Sequence, residues 1–200
     1  MIIINALETV DQQFLLFVNG HHTPWLDMVM WHFTQTYVWI PMYVIMTYLL
    51  FVYKGRAAWR WLLLIVLTVA MADVISSGII KPLVARPRPT HTPGLAEYLH
   101  LHQFSNGTFY RGGAYGFLSS HAANSTAIAF LFWLLVRKDV VRPRLLSSLL
   151  VLYVVLFCYT RMYLAVHYPS DILGGILIGG FMATLSYYLS SKFYYLCGRF

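Results

Sequence analysis

The chain has 200 residues, of which 59% are hydrophobic and only 10% are charged. Soluble domains typically carry about 25% charged residues, so this composition excludes an ordinary soluble domain and indicates a polytopic helical membrane protein. The net charge of +7 is spread over short clusters beside apolar runs, which excludes the basic stripe of a nucleic-acid-binding protein. We therefore expect an all-α membrane bundle in which residues 1–200 form a single domain.

The first helix is expected to lie in the membrane interface rather than to cross the bilayer. Residues 6–18 combine acidic and amide side chains with apolar residues at helical spacing, which favours an amphipathic surface helix. No basic region precedes the first apolar residues, so a cleavable signal peptide is not predicted. A turn follows at 19–24, and Asp27 is expected to begin or cap a further helix. The regularly spaced apolar residues are Leu7, Val10, Phe14 and Phe17.

Five later segments are apolar and long enough to be predicted as transmembrane helices. In chain order they cover about 34–53, 58–80, 119–136, 144–160 and 169–191. Residues 82–118 are rich in proline and glycine and are predicted as a long loop. Gly175 and Gly179 have the small-residue spacing typical of close contact between helices. A six-span arrangement, in which residues 8–33 also cross the membrane, is the alternative.

The basic residues predict the orientation in the membrane. The basic turns at 54–60 and 137–144 fall on one side, and the loop at 82–118 falls on the other. Because basic loops are retained in the cytoplasm, we expect the long loop to face outward from the cytoplasmic membrane. The ends of the second and fourth spans and the starts of the third and fifth lie on this outward side.

Polar groups from four chain regions are expected to converge at the outward face. Charges at membrane depth are costly and are therefore functional candidates. Three fixed cations suit an anion with several oxygens, and the planar guanidinium of arginine suits a phosphoryl group. Two helix starts add free N–H groups and positive dipole ends. The candidate residues are Lys81, Arg88, Ser119, Ser120, His121, Arg161, His167 and Asp171.

Two histidines on different elements allow a division of labour in phosphoryl transfer. One imidazole can attack phosphorus while the other protonates the departing oxygen. Asp171 follows His167 closely enough to hold one nitrogen of its ring. The long loop contains no carboxylate besides Glu97, which does not suit a Mg²⁺ site. The sequence therefore predicts a metal-independent reaction without a cofactor.

Three segments of the chain resemble the signatures of the type 2 phosphatidic acid phosphatase superfamily. KPLVARPRP at 81–89 is similar to the first signature, LSSH at 118–121 to the second, and TRMYLAVHYPSD at 160–171 to the third. The resemblance covers a core of about residues 58–190, and the order and separation of the three signatures make it highly specific. The chain departs from the usual family residues at Leu118 for proline, Ser120 for glycine and Thr160 for serine.

The resemblance implies a role for each candidate residue. His167 would be the nucleophile that forms a phosphohistidine, with Asp171 as its partner. His121 would be the general acid toward the leaving group. Because serine keeps the main-chain N–H, we expect Ser120 to tune the fit of the substrate rather than to abolish activity. The phosphate would be held by Lys81, Arg88, Ser119, Ser120 and Arg161.

The resemblance further implies an integral-membrane lipid phosphatase whose partners are its lipid substrate and the bilayer, with no obligate protein partner evident. Undecaprenyl pyrophosphate is the first candidate substrate, followed by phosphatidylglycerophosphate, phosphatidic acid and lipid A phosphate. One alternative is a phosphotransferase that uses the same phosphohistidine. Two others are a vanadate-dependent haloperoxidase, which the membrane spans argue against, and a non-enzymatic membrane binder or channel.

Other polar residues have simpler expected roles. Asp73 is expected to be a satisfied structural group, and Arg86 to be either a head-group contact or a solvated loop charge. Cys158 and Cys197 have neither disulfide nor metal spacing and are expected to act as small buried hydrophobic residues. Several histidines lack an evident acidic or cysteine partner and are expected to be surface residues. They are His21, His22, His91, His100 and His102.

Overall fold

The computed structural model describes the main chain of residues 2–196 and the side chains of residues 7–192. Within that range the long elements are all helices, and the only β pairing is two isolated bridges. The predicted all-α architecture is confirmed. The helices are α1 (Ile2–Gly20), α2 (Pro24–Phe33), α3 (Ile40–Lys54), α4 (Ala58–Asp73), α5 (Lys81–Val84), α6 (Ser120–Val136), α7 (Pro143–Tyr163) and α8 (Pro169–Leu196).

The N-terminal region forms two helices joined by a turn. α1 ends at Gly20 and α2 starts at Pro24, where the side chain of Thr23 accepts a main-chain hydrogen bond of 3.3 Å. This break argues against a single helix crossing the membrane over 8–33. Asp27 was expected to begin or cap this helix. The cap is Thr23 instead, and Asp27 lies in the first turn.

α1 is amphipathic, as predicted. Its inner face buries polar as well as apolar side chains, including Asp11, Leu15 and Asn19. Its outer face carries the regularly spaced apolar residues, which are between 49% and 64% exposed. An exposed apolar stripe of this kind suits a helix that lies in the membrane interface. The residues of this stripe are Leu7, Val10, Phe14 and Phe17.

Three stretches among the described residues are long and apolar enough to cross a membrane: Thr36–Val84, Pro143–Tyr163 and Pro169–Lys192. The first stretch turns at Gly55, whose positive φ of 53° favours glycine, and folds back as the α3–α4 pair. The apolar helix α6 is shorter, at 17 residues. The five predicted spans therefore correspond to α3, α4, α6, α7 and α8.

α4 continues without a break into a π-helical segment, Val74–Ile80, and then into α5. The whole run matches the second predicted span and places Lys81 at its end. Helix persists to Val84, so the long loop starts slightly later than the predicted residue 82. π-helical turns often occur at functional sites.

α6 is the central helix of the bundle and packs directly against α8. Gly175 and Gly179 lie against the main chain of α6 at Ser119 and Ala123, where a β-carbon on either glycine would overlap main-chain atoms. The predicted close contact is confirmed. Of the two cysteines, Cys158 is buried as expected, whereas Cys197 lies outside the described residues.

The two ends of the bundle differ in chemistry. At one end, Lys54 forms a 2.6 Å salt bridge with Asp139, which joins the α3–α4 turn to the α6–α7 turn. At the other end, the main-chain N–H of Ser119 donates to the carbonyl of Asp171 at 2.9 Å, which joins the starts of α6 and α8. The basic turns and the candidate site are therefore at opposite ends, as the sequence predicted.

Candidate active site

Arg161 lies at the end of α7 and is almost fully buried, with 2% of its surface exposed. Its guanidinium donates one hydrogen bond to the hydroxyl of Thr34 and another, of 3.0 Å, to the hydroxyl of Tyr110. Its Nε atom is buried without a hydrogen-bond partner. Among the described residues no carboxylate forms a salt bridge with Arg161, so its charge is available to an anion.

His167 and Asp171 form a buried pair at the turn between α7 and α8. Nδ1 of His167 lies 3.4 Å from Oδ2 of Asp171, and the two residues are 1% and 0% exposed. The same carboxylate oxygen accepts a 3.0 Å hydrogen bond from the main-chain N–H of Tyr168. Because Nδ1 faces the carboxylate, Nε2 is the ring nitrogen left to face a substrate.

The carboxylate of Asp171 is held by Arg86, for which the sequence analysis gave two alternatives, a head-group contact or a solvated loop charge. Nη1 of Arg86 donates to Oδ1 of Asp171 at 3.0 Å and to the hydroxyl of Ser170 at 2.7 Å. Nη2 forms a 2.8 Å salt bridge with Asp11 of α1. The Asp11 carboxylate also accepts hydrogen bonds from the main chain and the hydroxyl of Ser170. Arg86 is therefore an ion-pair partner of both Asp11 and Asp171, a role that the sequence analysis did not assign to it.

This network was not recognised in the sequence. Arg86 lies inside the first signature, two residues before Arg88, and this was the signal that could have identified it. Asp11 gave no such signal, because a carboxylate on an amphipathic helix normally faces water. In the structure the side chain of Asp11 is only 8% exposed.

Arg88 is buried in the long loop and points toward the turn that carries His167. Its Nε donates to the carbonyl of Tyr115 at 3.0 Å, and Nη1 donates to the carbonyl of Val166 at 3.2 Å. Gly112 has a φ of 69° and lies directly against the guanidinium, where a β-carbon would be 2.8 Å from Nη1. Burial and the positive charge of Arg161 lower the pKa of Arg88.

Lys81 and the start of α6 form the second part of the site. Nζ of Lys81 donates to the hydroxyl of Ser120 at 2.5 Å, and that hydroxyl lies 2.7 Å from the hydroxyl of Ser77 in the π-helical segment. Ser119 caps α6 by accepting a hydrogen bond from the N–H of Ala122 at 3.4 Å. The predicted helix start is confirmed, and its N–H groups point toward the same end of the bundle as Lys81.

His121 lies in the first turn of α6 and is partly buried, with its ring centre 5.4 Å from that of Phe157. Its ring interacts electrostatically with several groups, among them Arg161, His167 and Lys81. His121 is therefore part of the same electrostatic cluster as the buried pair.

Positive charge accumulates around His167. Its burial, followed by the charges of Arg88, Arg161 and Lys81, lowers the pKa of His167 well below the usual histidine range. The unliganded imidazole is therefore neutral near neutral pH, which is the protonation state that a nucleophile requires. An anion bound among the three cations would balance their charge.

All the residues predicted for the site contribute to this one end of the bundle. Two polar residues form hydrogen bonds with a structural role: Asp73, which is outside the predicted set, and Ser120, which belongs to it. Asp73 accepts a 3.0 Å hydrogen bond from Asn124, as expected of a satisfied group, and Ser120 uses its hydroxyl to hold Lys81. The predicted set is Lys81, Arg88, Ser119, Ser120, His121, Arg161, His167 and Asp171.

A membrane-spanning helical bundle with a buried histidine–aspartate pair among unpaired cations has the architecture of an integral-membrane phosphatase. The model of the PAP2 superfamily matches residues 58–195. The chain belongs to the PAP2 superfamily, and the resemblance to the type 2 phosphatidic acid phosphatases found in its signatures is confirmed.

Individual relatives agree with the family. The chain is 38% identical over 191 residues to the lipid A 4'-phosphatase of Bacteroides thetaiotaomicron, covering 94% of this chain and 80% of that protein. It is 30% identical over 171 residues to the lipid A 4'-phosphatase of Porphyromonas gingivalis, covering 85% of this chain and 68% of that protein.

A solved structure supports the fold. The transmembrane PAP2-type phosphatidylglycerolphosphate phosphatase from Bacillus subtilis superposes with a TM-score of 0.68 over 95% of this chain and 89% of that chain, at 21% identity. With the family and the relatives, the chain is a membrane lipid phosphatase, which is a phosphoric ester hydrolase. The alternative of a non-enzymatic binder or channel is not supported.

Proposed function

We propose that the enzyme removes the 4'-phosphate of lipid A. The observation that carries this proposal is the 38% identity to a lipid A 4'-phosphatase over 94% of the chain. A second relative with the same name is 30% identical. The sequence alone ranked undecaprenyl pyrophosphate first; the relatives favour lipid A phosphate, and undecaprenyl pyrophosphate stays a prediction.

The phosphate would be bound by the three cations and the start of α6. Arg161 would offer its unpartnered Nε, while Arg88 and Lys81 neutralise the remaining charge on the phosphate oxygens. The N–H groups at Ser119 and Ser120 would add main-chain donors, as helix starts do for many phosphates. No metal is needed to balance the charge in this scheme.

In the transfer step, Nε2 of His167 would attack phosphorus and the bond from phosphorus to the lipid oxygen would break. His121 would donate a proton to that departing oxygen, so that it leaves as a hydroxyl. Asp171, facing Nδ1 at 3.4 Å, would stabilise the positive charge that develops on the attacking ring. Water would then attack the phosphohistidine while His121 accepts its proton, which frees phosphate and restores both histidines.

The site would face the exterior of the cytoplasmic membrane. The basic turns lie at the opposite end of the bundle from His167, joined there by the Lys54–Asp139 pair, and basic loops are retained in the cytoplasm. The exposed apolar stripe of α1 would rest in the outer interface. A lipid could then present its head group to the site while its acyl chains stay in the bilayer.

The proposal is tested by incubating the purified enzyme in EDTA with a panel of lipids: lipid A, undecaprenyl pyrophosphate, phosphatidylglycerophosphate and phosphatidic acid. The His167→Ala variant serves as the blank. We expect the fastest phosphate release from lipid A, with mass spectrometry showing loss from the 4' position. Faster release from another lipid, or loss from the 1 position, would overturn the assignment of substrate.

A phosphotransferase would use the same phosphohistidine but pass the phosphoryl group to an acceptor other than water. Product analysis with and without candidate acceptor lipids separates the two reactions. We expect the enzyme to release free phosphate both with and without an acceptor lipid, and to form no phosphorylated acceptor.

A further inference from the structure

Two histidines and one aspartate meet at the turn between α1 and α2, away from the His167–Asp171 pair. His22 lies in that turn, Asp27 lies in the first turn of α2, and His100 comes from the long loop. Each can offer one ligand atom, and these atoms all lie within 4.8 Å of one another. Nε2 of His100 is 3.0 Å from Oδ2 of Asp27. The acidic partner that the sequence did not supply for these histidines is therefore present.

The main chain at His100 is fixed by a buried amide. Asn19 at the end of α1 is 1% exposed. Its side-chain oxygen accepts from the N–H of His100 at 2.8 Å, and its side-chain nitrogen donates to the carbonyl of His100 at 2.8 Å. The same nitrogen donates to the carbonyl of Tyr163 at 2.7 Å. A loop residue is thus held at a defined position against α1 and α7.

Asp27 is oriented in a similar way. Its Oδ1 accepts a 2.6 Å hydrogen bond from the hydroxyl of Tyr163, which leaves Oδ2 directed at His100. Hydrogen-bonded support for a ligating carboxylate is a regular property of metal sites, because it fixes the direction of the free oxygen. Tyr163 therefore supports Asp27 directly through its hydroxyl, and His100 indirectly through its carbonyl, which holds Asn19.

We propose that His22, Asp27 and His100 form a binding site for a divalent first-row transition metal, with Zn²⁺ as the preferred ion. Two imidazoles and one carboxylate are a usual ligand set for Zn²⁺, with water in the fourth position. Ligand atoms about 2.0–2.1 Å from a tetrahedral ion lie roughly 3.3 Å apart, close to the 3.0 Å between His100 and Asp27. The ion would take the place of the proton shared by these two residues.

His22 completes the site by a small side-chain movement. Its ring stacks on that of His100, with the centres 3.6 Å apart and an angle of 1° between the planes. Parallel rings do not both direct a lone pair at one ion, so His22 has to rotate on binding. His22 is exposed, so its ring can leave the stack without displacing buried side chains. A cavity of about 580 Å³ lined by Asp27 and His100 gives the ion a path from solvent.

The bound ion would clamp the long loop to the N-terminal helices. The loop continues from His100 to Tyr110, which hydrogen bonds to Arg161, and to Gly112, which lies against Arg88. The clamp would therefore stabilise the segment that packs on the phosphate-binding arginines, without placing the ion on the substrate. It does not depend on which lipid the enzyme hydrolyses.

The test uses the full-length protein, purified without a histidine tag, stripped with EDTA and dialysed against Zn²⁺ at graded concentrations. The variants are His22→Gln and His100→Gln. His21→Gln is the matched control, because His21 is the exposed neighbour of His22 and its ring instead bonds the carbonyl of Phe17 at 2.6 Å. Bound metal is counted by elemental analysis, and Co²⁺ spectra report the ligand set.

We expect about one Zn²⁺ per chain in the wild type and in His21→Gln, and at least about tenfold weaker binding in His22→Gln and His100→Gln. Zn²⁺ should raise the melting temperature of the wild type and of His21→Gln but not of His22→Gln. Equal binding by His22→Gln and His21→Gln, or no stoichiometric binding by the wild type, would overturn the proposal. Phosphate release in EDTA is a separate readout, so the metal site and the proposed function can fail independently.

Discussion

The phosphate site has two halves that differ in exposure. The first, which we term the buried half, is at most 2% exposed and consists of Arg161, His167 and Asp171. Lys81 and His121, the open half, are only partly buried. The buried half is supported from distant parts of the chain: Arg161 by Thr34 and Tyr110, and Asp171 by Arg86 and through it by Asp11. In the open half, Lys81 donates to Ser77, one turn earlier in its own helical run, and to Ser120 at the start of α6.

The difference indicates a division between rigidity and access. A buried nucleophile has to be held in one orientation, because small displacements from the attacking geometry cost much of the rate. A general acid and a partly exposed lysine would need less support, since they would have to reach the leaving group and exchange protons with solvent. Substitutions in the support of the buried half should therefore reduce turnover more than substitutions in the support of the open half.

The largest effect is expected for His167→Ala. Removing the attacking imidazole should lower kcat by at least about 10³-fold, because the remaining groups bind phosphate but cannot accept it. Phosphate release from the preferred lipid measures this loss. His91→Ala, a substitution of an exposed loop histidine, is the control and should retain wild-type turnover. Residual activity within tenfold of the wild type in His167→Ala would contradict the assigned role.

Arg88→Gln should lower kcat/KM by about 10²-fold, since it removes a buried charge from the phosphate cradle. It should also move the acid limb of the pH profile. The charge of Arg88 helps to lower the pKa of His167, so its removal raises that pKa, and the neutral ring is lost at a higher pH on acidification. The profile of kcat/KM against pH measures the shift. A limb that stays in place or moves to lower pH would be inconsistent with this cradle.

Asp11→Asn tests the distant support of the buried half. Without the carboxylate, Arg86 loses its 2.8 Å partner and holds Asp171 less firmly, so kcat should fall between about 10-fold and 100-fold with little change in KM. The unfolding free energy should fall by about 1–3 kcal/mol. Glu8→Gln is the control, because Glu8 is exposed on the same helix. If both variants behaved alike, Asp11 would have no positioning role.

Ser120→Gly should have the smallest effect and tests the open half. It restores the usual residue of the family and removes the hydroxyl that holds Lys81 at 2.5 Å. One net hydrogen bond is worth about 1 kcal/mol, so we expect a change of less than about fivefold, mainly in KM. Steady-state kinetics on the preferred lipid measure it. A loss as large as that of Asp11→Asn would remove the distinction between the two halves.

The transmembrane core was predictable because long apolar runs alternate with basic turns. The three signatures also placed the candidate site residues at one end of the bundle, since each motif lies where a helix starts or ends. The predicted starts of the third and fifth spans, at 119 and 169, agree with the cap at Ser119 and the start of α8 at Pro169, because serine and proline are favoured at helix starts.

The supporting contacts were not predictable in the same way. Arg161 meets Thr34 across 127 residues, and Asp11 meets Ser170 across 159, so each contact depends on how α1 and α2 dock on the bundle. Asp27 and His100 likewise approach only after the loop folds back. No local pattern encodes such pairs, because their residues belong to different elements.

The central claim, that His167 accepts the phosphoryl group, is tested most directly by trapping the intermediate. The enzyme is mixed with a lipid radiolabelled in its phosphate, denatured without acid and digested with trypsin, which places His167 and His121 on separate peptides, 162–192 and 112–137. We predict an acid-labile label on peptide 162–192 in the wild type and no label on it in His167→Ala. Label on peptide 112–137 in the wild type, or full turnover by His167→Ala, would contradict the account.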